Sequence, residues 1–190
     1  MPSPEDRGSS PPGGGQGAKE QWVTYIHDLQ NRICIALEDV DGKASFVEDV
    51  WERAEGGGGK TRVISNGNVF EKGGVNTSVV FGNVTDAMRS QLKYIPQSDE
   101  PLTWWACGSS VVIHPLNPFV PTVHCNYRMF EVYNSSPTGG GRYGTCWFGG
   151  GTDLTPYYLF EEDAMHFHLT YKKVCDGFDP TFYNEFKVLC

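Results

Sequence analysis

Three polar side chains near the middle of the chain recur at a spacing that can do chemistry. Thr122–Val132 reads TVHCNYRMFEV, a β-branched and aromatic run that suits a strand. An extended backbone turns successive side chains to opposite faces. His124, Asn126 and Arg128 therefore share one face, and Val123, Cys125, Tyr127 and Met129 share the other. The first face offers a group that exchanges protons near neutral pH, a donor–acceptor amide and a rigid fork for a carboxylate. On the preceding run, SSVVIHP, the residues Ser110, Val112 and His114 share a face in the same way. The competing reading is a solvated outer face whose histidine is satisfied by its neighbours.

Asp153 follows three glycines in WFGGGTDLTPYY. Glycines let a backbone approach a ligand closely or turn sharply. Asp153 then suits an acid–base group or an acceptor for a ligand N–H, and it suits equally well a cap on its own turn. Further on, His168 falls on a helical stripe with Ala164, Tyr171 and Cys175, which directs it inward. His166 lies about 200° around the same helix and points outward. Helical His-x-His does not chelate, because the two side chains diverge. His114, His124 and His168 can form a metal set if the fold brings them together; otherwise each is a hydrogen-bonded histidine. The six cysteines (Cys34, Cys107, Cys125, Cys146, Cys175, Cys190) contain no CxxC pair. Reduced thiols are expected rather than a zinc site or a disulfide framework.

The elements that must position these residues are legible in outline. Trp22, Ile26, Leu29, Ile33 and Leu37 recur at spacings of 4, 3, 4 and 4, one stripe of an amphipathic helix, which Asp41-Gly42 ends. A short helix with Phe46, Val47, Val50 and Trp51 inward is expected next, and the run Gly56–Gly59 reads as a flexible connection. Lys60-Thr61 follows that run, but no buried strand precedes it, as a phosphate loop requires. Thr61–Ile64, Asn66-Gly67 and Val69-Phe70 predict a hairpin on a type I′ turn, with a further strand over Val75–Phe81. Thr85–Tyr94 reads as a short helix. Strands are expected over Trp104–Pro115, Thr122–Tyr133 and Tyr143–Phe148, the last stopped by Gly149–Gly151. Helices follow over 161–175, with Glu161, Glu162 and Asp163 favourably placed in the first turn, and after Asp179-Pro180.

The chain has 190 residues, 15 Lys+Arg and 23 Asp+Glu, for a net charge of −8. That balance argues against a general nucleic-acid or anionic-membrane binder, which needs a basic surface. With 39% apolar and 20% charged residues the body is globular, and 13% aromatics suit a sheet-rich core or a ring-binding cleft. Residues 1–18 are Pro/Gly/Ser-rich and read as a disordered tail, which leaves 19–190 as one domain. No run is long and apolar enough for a membrane span. The N-terminal segment reads as neither a signal nor a transit peptide, so a cytoplasmic protein is expected. The chain stops inside the apolar stripe Phe182, Phe186 and Leu189 with no cap, which reads as a C-terminal truncation.

Three stretches together carry a family resemblance: GNVFEKGGVNTSVVFGN, SSVVIHPLNPFVPTVHCNYRMFEV and WFGGGTDLTPYYLFEEDAMHFH. They resemble the aerobic, oxygen-dependent coproporphyrinogen III oxidases of haem biosynthesis, and the similarity runs from about Trp22 to Cys190. The resemblance implies an α+β fold, with a large antiparallel sheet sandwiched between helix layers, working as a homodimer. It implies oxidative decarboxylation of two propionates of coproporphyrinogen III to vinyl groups, with O₂ as co-substrate and no organic cofactor, to give protoporphyrinogen IX. Ser110 then matches a substrate-contacting serine, and His124 matches the proton donor. Asn126, Tyr127 and Arg128 match the substrate-binding run, and Arg128 with Asp153 matches the polar pair of catalysis. His114, His124 and His168 match positions given as ligands of a divalent metal in some members. Gly73–Gly82 matches a stretch linked to dimerisation. The family continues past Cys190 into segments that supply another histidine, more substrate-binding backbone and much of the dimer interface. Two rival classes remain open: a non-catalytic tetrapyrrole-binding module, and a metallohydrolase built on the three histidines, which lacks an HExxH signature.

Overall fold

The apolar stripe from Trp22 to Leu37 forms α1 (Gln16–Asp41) in a computed structural model that describes residues 16–92, 101–134 and 144–187. Gly42, at φ 70°, ends the helix, a backbone conformation glycine adopts without strain. The Asp41 carboxylate then accepts hydrogen bonds from the N–H groups of Ala44, Asn68, Val69 and Phe70, tying the helix end to the hairpin beyond it.

The rest of the chain builds a six-stranded, fully antiparallel sheet in sequence order: β1 (Val47–Glu52), β2 (Gly57–Ser65), β3 (Phe70–Asn83), β4 (Leu102–Pro115), β5 (Thr122–Asn134) and β6 (Gly144–Thr155). With α2 (Asp86–Gln91), α3 (Glu161–Asp176) and α4 (Phe182–Lys187), this is the α+β class expected. Thr85 caps α2 by accepting from the Met88 N–H. Among the described residues no helix is long and apolar enough to cross a membrane.

Helix α1 lies across β3 and β4. Cys34 joins Ile64, Val75, Val111 and Ile113 in one core cluster, and Ile26 joins Trp105, Cys107 and Met129 in a second. Gln30 is buried between them. Its amide donates to the main-chain oxygens of Lys60 and Val75 and accepts from Thr77 Oγ1, so a polar side chain inside the core is fully occupied. Lys19 reaches the buried Glu131 carboxylate and lies 4.8 Å from the ring centroids of Trp105 and Tyr133. Tyr171 of α3 bonds Thr152, which stands opposite Cys125. Alternation along the strands therefore puts α1 and α3 on the same face of the sheet.

The structure corrects several local expectations. Val47–Glu52 is the edge strand β1, not a helix. Six residues nucleate a helix poorly, whereas β2 offers a ready ladder and Arg62 bonds Glu48 across it at 2.7 Å. The glycines after Glu55 open β2 rather than link elements loosely. A Cβ on Gly57 would stand 2.2 Å from the Val79 oxygen, at φ 83°, so close packing of strands demands glycine there. The strand expected to begin at Val75 runs unbroken from Phe70. A hairpin forms at Asn66-Gly67 but not on the type I′ turn expected: Asn66 takes φ 56° while Gly67 has no positive φ, and the Gly67 N–H bonds the Phe70 oxygen in a longer connection. Gly149–Gly151 do not stop β6, which continues to Thr155. Asp179 caps the turn before α4 by accepting from the Thr181 N–H. The tail assigned to 1–18 and the expected helix end at Tyr94 fall largely outside the described residues.

Candidate functional site

Residues opposite one another in neighbouring strands form rungs across the sheet face opposite α1 and α3, which is uncovered among the described residues. One rung runs Trp51, Gly59, Ser78, Gly108, Arg128 and Gly149. The next runs Asp49, Thr61, Asn76, Ser110, Asn126 and Gly151. The third runs Val47, Val63, Gly74, Val112, His124 and Asp153. The i, i+2, i+4 pattern read in β5 is thus real, and two neighbouring strands extend it with Ser110 and Asp153.

The middle of this face is a cleft of about 520 Å³. Asn76, Ser110, Asn126 and Arg128 supply its polar groups, Gly149 and Gly151 part of its floor, and Trp51, Phe130 and Trp147 an aromatic wall. Phe130 lies 4.8 Å from Trp147 and 5.9 Å from Trp104, ring centroid to centroid. Arg128 is exposed, and among the described residues no carboxylate pairs with its guanidinium. An arginine fork with no protein anion to hold, above a floor of small residues, is suited to a ligand carboxylate.

One rung beyond the cleft, His124 Nδ1 lies 2.8 Å from Asp153 Oδ2, with the side chains 32% and 55% exposed. Thr155 Oγ1 donates to the other carboxylate oxygen at 3.3 Å. A carboxylate only accepts, so Nδ1 carries the proton and Nε2 is left to accept one from a ligand. Asp153 is therefore not a contact partner of Arg128. Their rungs are four residues apart along the strands, roughly 14 Å, and the two groups can engage only different parts of a large ligand.

Tyr127 is not on this face. It stands opposite Ser109 and lines a second cavity of about 650 Å³ between the sheet and α3, with Thr152, Phe167, His168, Tyr171 and Tyr183. Burial first, and then the neighbouring Tyr171 phenol, push the Tyr127 hydroxyl above its ordinary range. Tyr171 donates to Thr152 Oγ1 at 2.9 Å, and Thr152 donates to the His124 main-chain oxygen at 3.0 Å. Helix α3 thereby supports the strand carrying His124 from behind.

His168 is exposed rather than interior and meets Tyr183 Oη at 3.0 Å. His114 meets Thr122 Oγ1 at 3.4 Å. The three histidines thus have separate partners, and among the described residues no three His, Cys, Asp or Glu side chains are grouped to hold a metal ion. The set His114, His124 and His168 does not fit a shared metal. Sequence reasoning missed Asn76 and the aromatic wall, and read the glycines before Asp153 as either a close approach to a ligand or a sharp turn. The alternation Gly74, Asn76, Ser78 on one face of β3 was the available signal for the first of these.

Comparison with known proteins agrees with the resemblance. The family profile described as coproporphyrinogen III oxidase matches residues 21–190. The chain is 48% identical over 174 residues to the oxygen-dependent coproporphyrinogen-III oxidase, chloroplastic, of Glycine max, covering 90% of this chain and 45% of that protein. It is 50% identical over 176 residues to the mitochondrial enzyme of Rattus norvegicus, covering 90% and 39%. With the enzyme of Parasynechococcus marenigrum it shares 49% over 165 residues, covering 87% and 42%. The chain spans less than half the length of these relatives.

Proposed function

The chain belongs to the coproporphyrinogen III oxidase family, and from that premise we propose that its uncovered sheet face is the binding and reaction surface for coproporphyrinogen III. The observation that carries the reading is Arg128, without a carboxylate partner among the described residues, on a glycine floor, with the His124–Asp153 pair on the same face. The substrate has propionate carboxylates at its rim and pyrrole N–H groups at its centre. Arg128 holds a propionate, and Ser110 and Asn126 hydrogen-bond the same part of the molecule. The His124–Asp153 pair accepts a pyrrole proton, which makes the ring electron-rich enough to react with O₂.

In each of two turnovers one propionate loses CO₂ and a hydrogen from its β-carbon. The C–CO₂ and C–H bonds break, the vinyl C=C bond forms, and O₂ takes up two electrons and two protons to leave as hydrogen peroxide. The product is protoporphyrinogen IX. Tyr127, on the opposite face, supports β5 instead of touching substrate.

We infer a homodimer, as the family resemblance implies. Gly73–Gly82 lies inside the sheet, between β2 and β4, so a dimer contact there is face to face rather than edge to edge. A single domain over 19–190 and a cytoplasmic address are the sequence's own readings. Two of the relatives above bear the names chloroplastic and mitochondrial, and cell fractionation decides between these addresses.

Anaerobically prepared coproporphyrinogen III, mixed with the protein and O₂ with and without a chelator, tests the function. Vinyl product is expected, and its survival in chelator is expected because the three histidines have separate partners. Tetrapyrrole binding without O₂ uptake would replace the oxidase reading with a binding module.

A further inference from the structure

Among the described residues, nothing packs against two glycines of the cleft floor closely enough to require glycine. A Cβ built on Gly149 meets nothing within 4 Å, and one on Gly151 meets only the Asn126 amide nitrogen, at 4.0 Å. Neither residue has a positive φ; both continue β6 in regular pairing with Arg128 and Asn126. A strand position with that backbone and that much room accepts alanine or valine, both of which favour a strand more than glycine does. The other glycines of the same region differ. A Cβ on Gly108 would stand 2.3 Å from the Tyr127 oxygen and 2.8 Å from Arg128 Cγ, and one on Gly150 would stand 2.6 Å from the Asn126 oxygen. Packing requires those glycines. Among the described residues it does not require Gly149 or Gly151, whose missing side chains lie on the face carrying Arg128, Asn126 and Asp153.

We propose that Gly149 and Gly151 are kept bare by the ligand: they are the floor against which the face of a broad cyclic tetrapyrrole rests, and so they set which ring systems the cleft admits. This rests on the functional reading above. The geometry fits a wide, flat-lying occupant rather than a narrow one. Gly149 lies on the arginine rung and Gly151 on the rung between it and the imidazole–carboxylate rung, so a ligand that engages both groups must cross them. A methyl there lifts the ring from the sheet and pulls its rim carboxylates off Arg128 and its N–H groups off the His124–Asp153 pair.

The test compares Gly149→Ala, Gly149→Val and Gly151→Ala with the parent protein, and uses Gly108→Ala as the packing control. Thermal midpoints and binding of coproporphyrin, followed by fluorescence, are measured on each. The midpoints of the 149 and 151 variants are expected to stay level or rise by about 1–4 °C, while that of Gly108→Ala falls. Tetrapyrrole affinity is expected to weaken about tenfold to a hundredfold, more for valine than for alanine. Parent-like affinity in Gly149→Val would overturn the inference. So would a loss of stability in Gly149→Ala, because the space would then belong to another part of the protein. If the parent itself binds no tetrapyrrole, the functional reading fails, and this inference fails with it.

Discussion

Replacing Asp153 by asparagine asks whether the His124–Asp153 pair serves the reaction or the fold. In the folded chain the two groups meet at 2.8 Å while remaining 32% and 55% exposed. A polar pair that open to water contributes about 0–1 kcal/mol to stability, and the change should move the melting midpoint by less than about 4 °C. The effect on the imidazole is larger. The carboxylate forces the proton onto Nδ1 and leaves Nε2 basic. An amide can donate to Nδ1 instead, which selects the other tautomer and places the proton on Nε2. Loss of a positioned general base costs about 10²–10⁴-fold in rate, or about 3–5 kcal/mol of activation free energy. A small change in stability beside a large change in turnover is therefore the expected signature. Chromatographic yield of vinyl product after O₂ addition, measured beside thermal melts, reads both. If the two residues act as a unit, adding His124→Gln to Asp153→Asn lowers the rate little further. Turnover within about threefold of the parent's would refute the assignment, and a melting point lowered by more than about 10 °C would show the pair to be structural.

Arg128→Lys keeps the charge but loses the fork; KM for coproporphyrinogen III should rise about tenfold with kcat nearly unchanged, whereas an equal fall in both kcat and kcat/KM would assign Arg128 to the transition state instead. The N–H donors on Asp41, Ala44 first and then Val69, hold its carboxyl well below the usual carboxylate range. The depressed value means that its contribution to stability is present above the ordinary carboxylate range and is lost as pH falls below it. Asp41→Asn should flatten that acid limb in melts recorded from pH 5 downward, and an unchanged limb would discount the clamp. Gln30→Leu strands the buried Thr77 hydroxyl and should cost about 2–4 kcal/mol in urea unfolding; adding Thr77→Val should return about 1 kcal/mol, and no recovery would mean that the hydroxyl finds another partner.

The sequence by itself determined whatever depends on local alternation, period or turn chemistry. The α1 stripe, the Asn66-Gly67 hairpin, the Asp179 cap and the shared face of His124, Asn126 and Arg128 were all legible, because each follows from neighbours a few residues apart. The family was legible too, from three long segments. Short stretches whose state is set by a partner were not. Val47–Glu52 has the apolar spacing of a helix turn and becomes a strand because β2 lies beside it. The glycines at 57–59 and 149–151 look like breaks and prove to be strand, since what they avoid is a clash or a filled cleft on another strand.

Register across strands decided the site. It set Asp153 against His124 rather than Arg128, Asn76 beside Ser110, and Tyr127 on the far side of the sheet with Tyr171. It also gave His114 and His168 separate partners, although the chain alone allowed them to share a metal with His124. The physical reason is that side-chain period along one strand is a local property, whereas which residues stand opposite one another depends on loop lengths, and on a core that only the folded sheet and α1 form together.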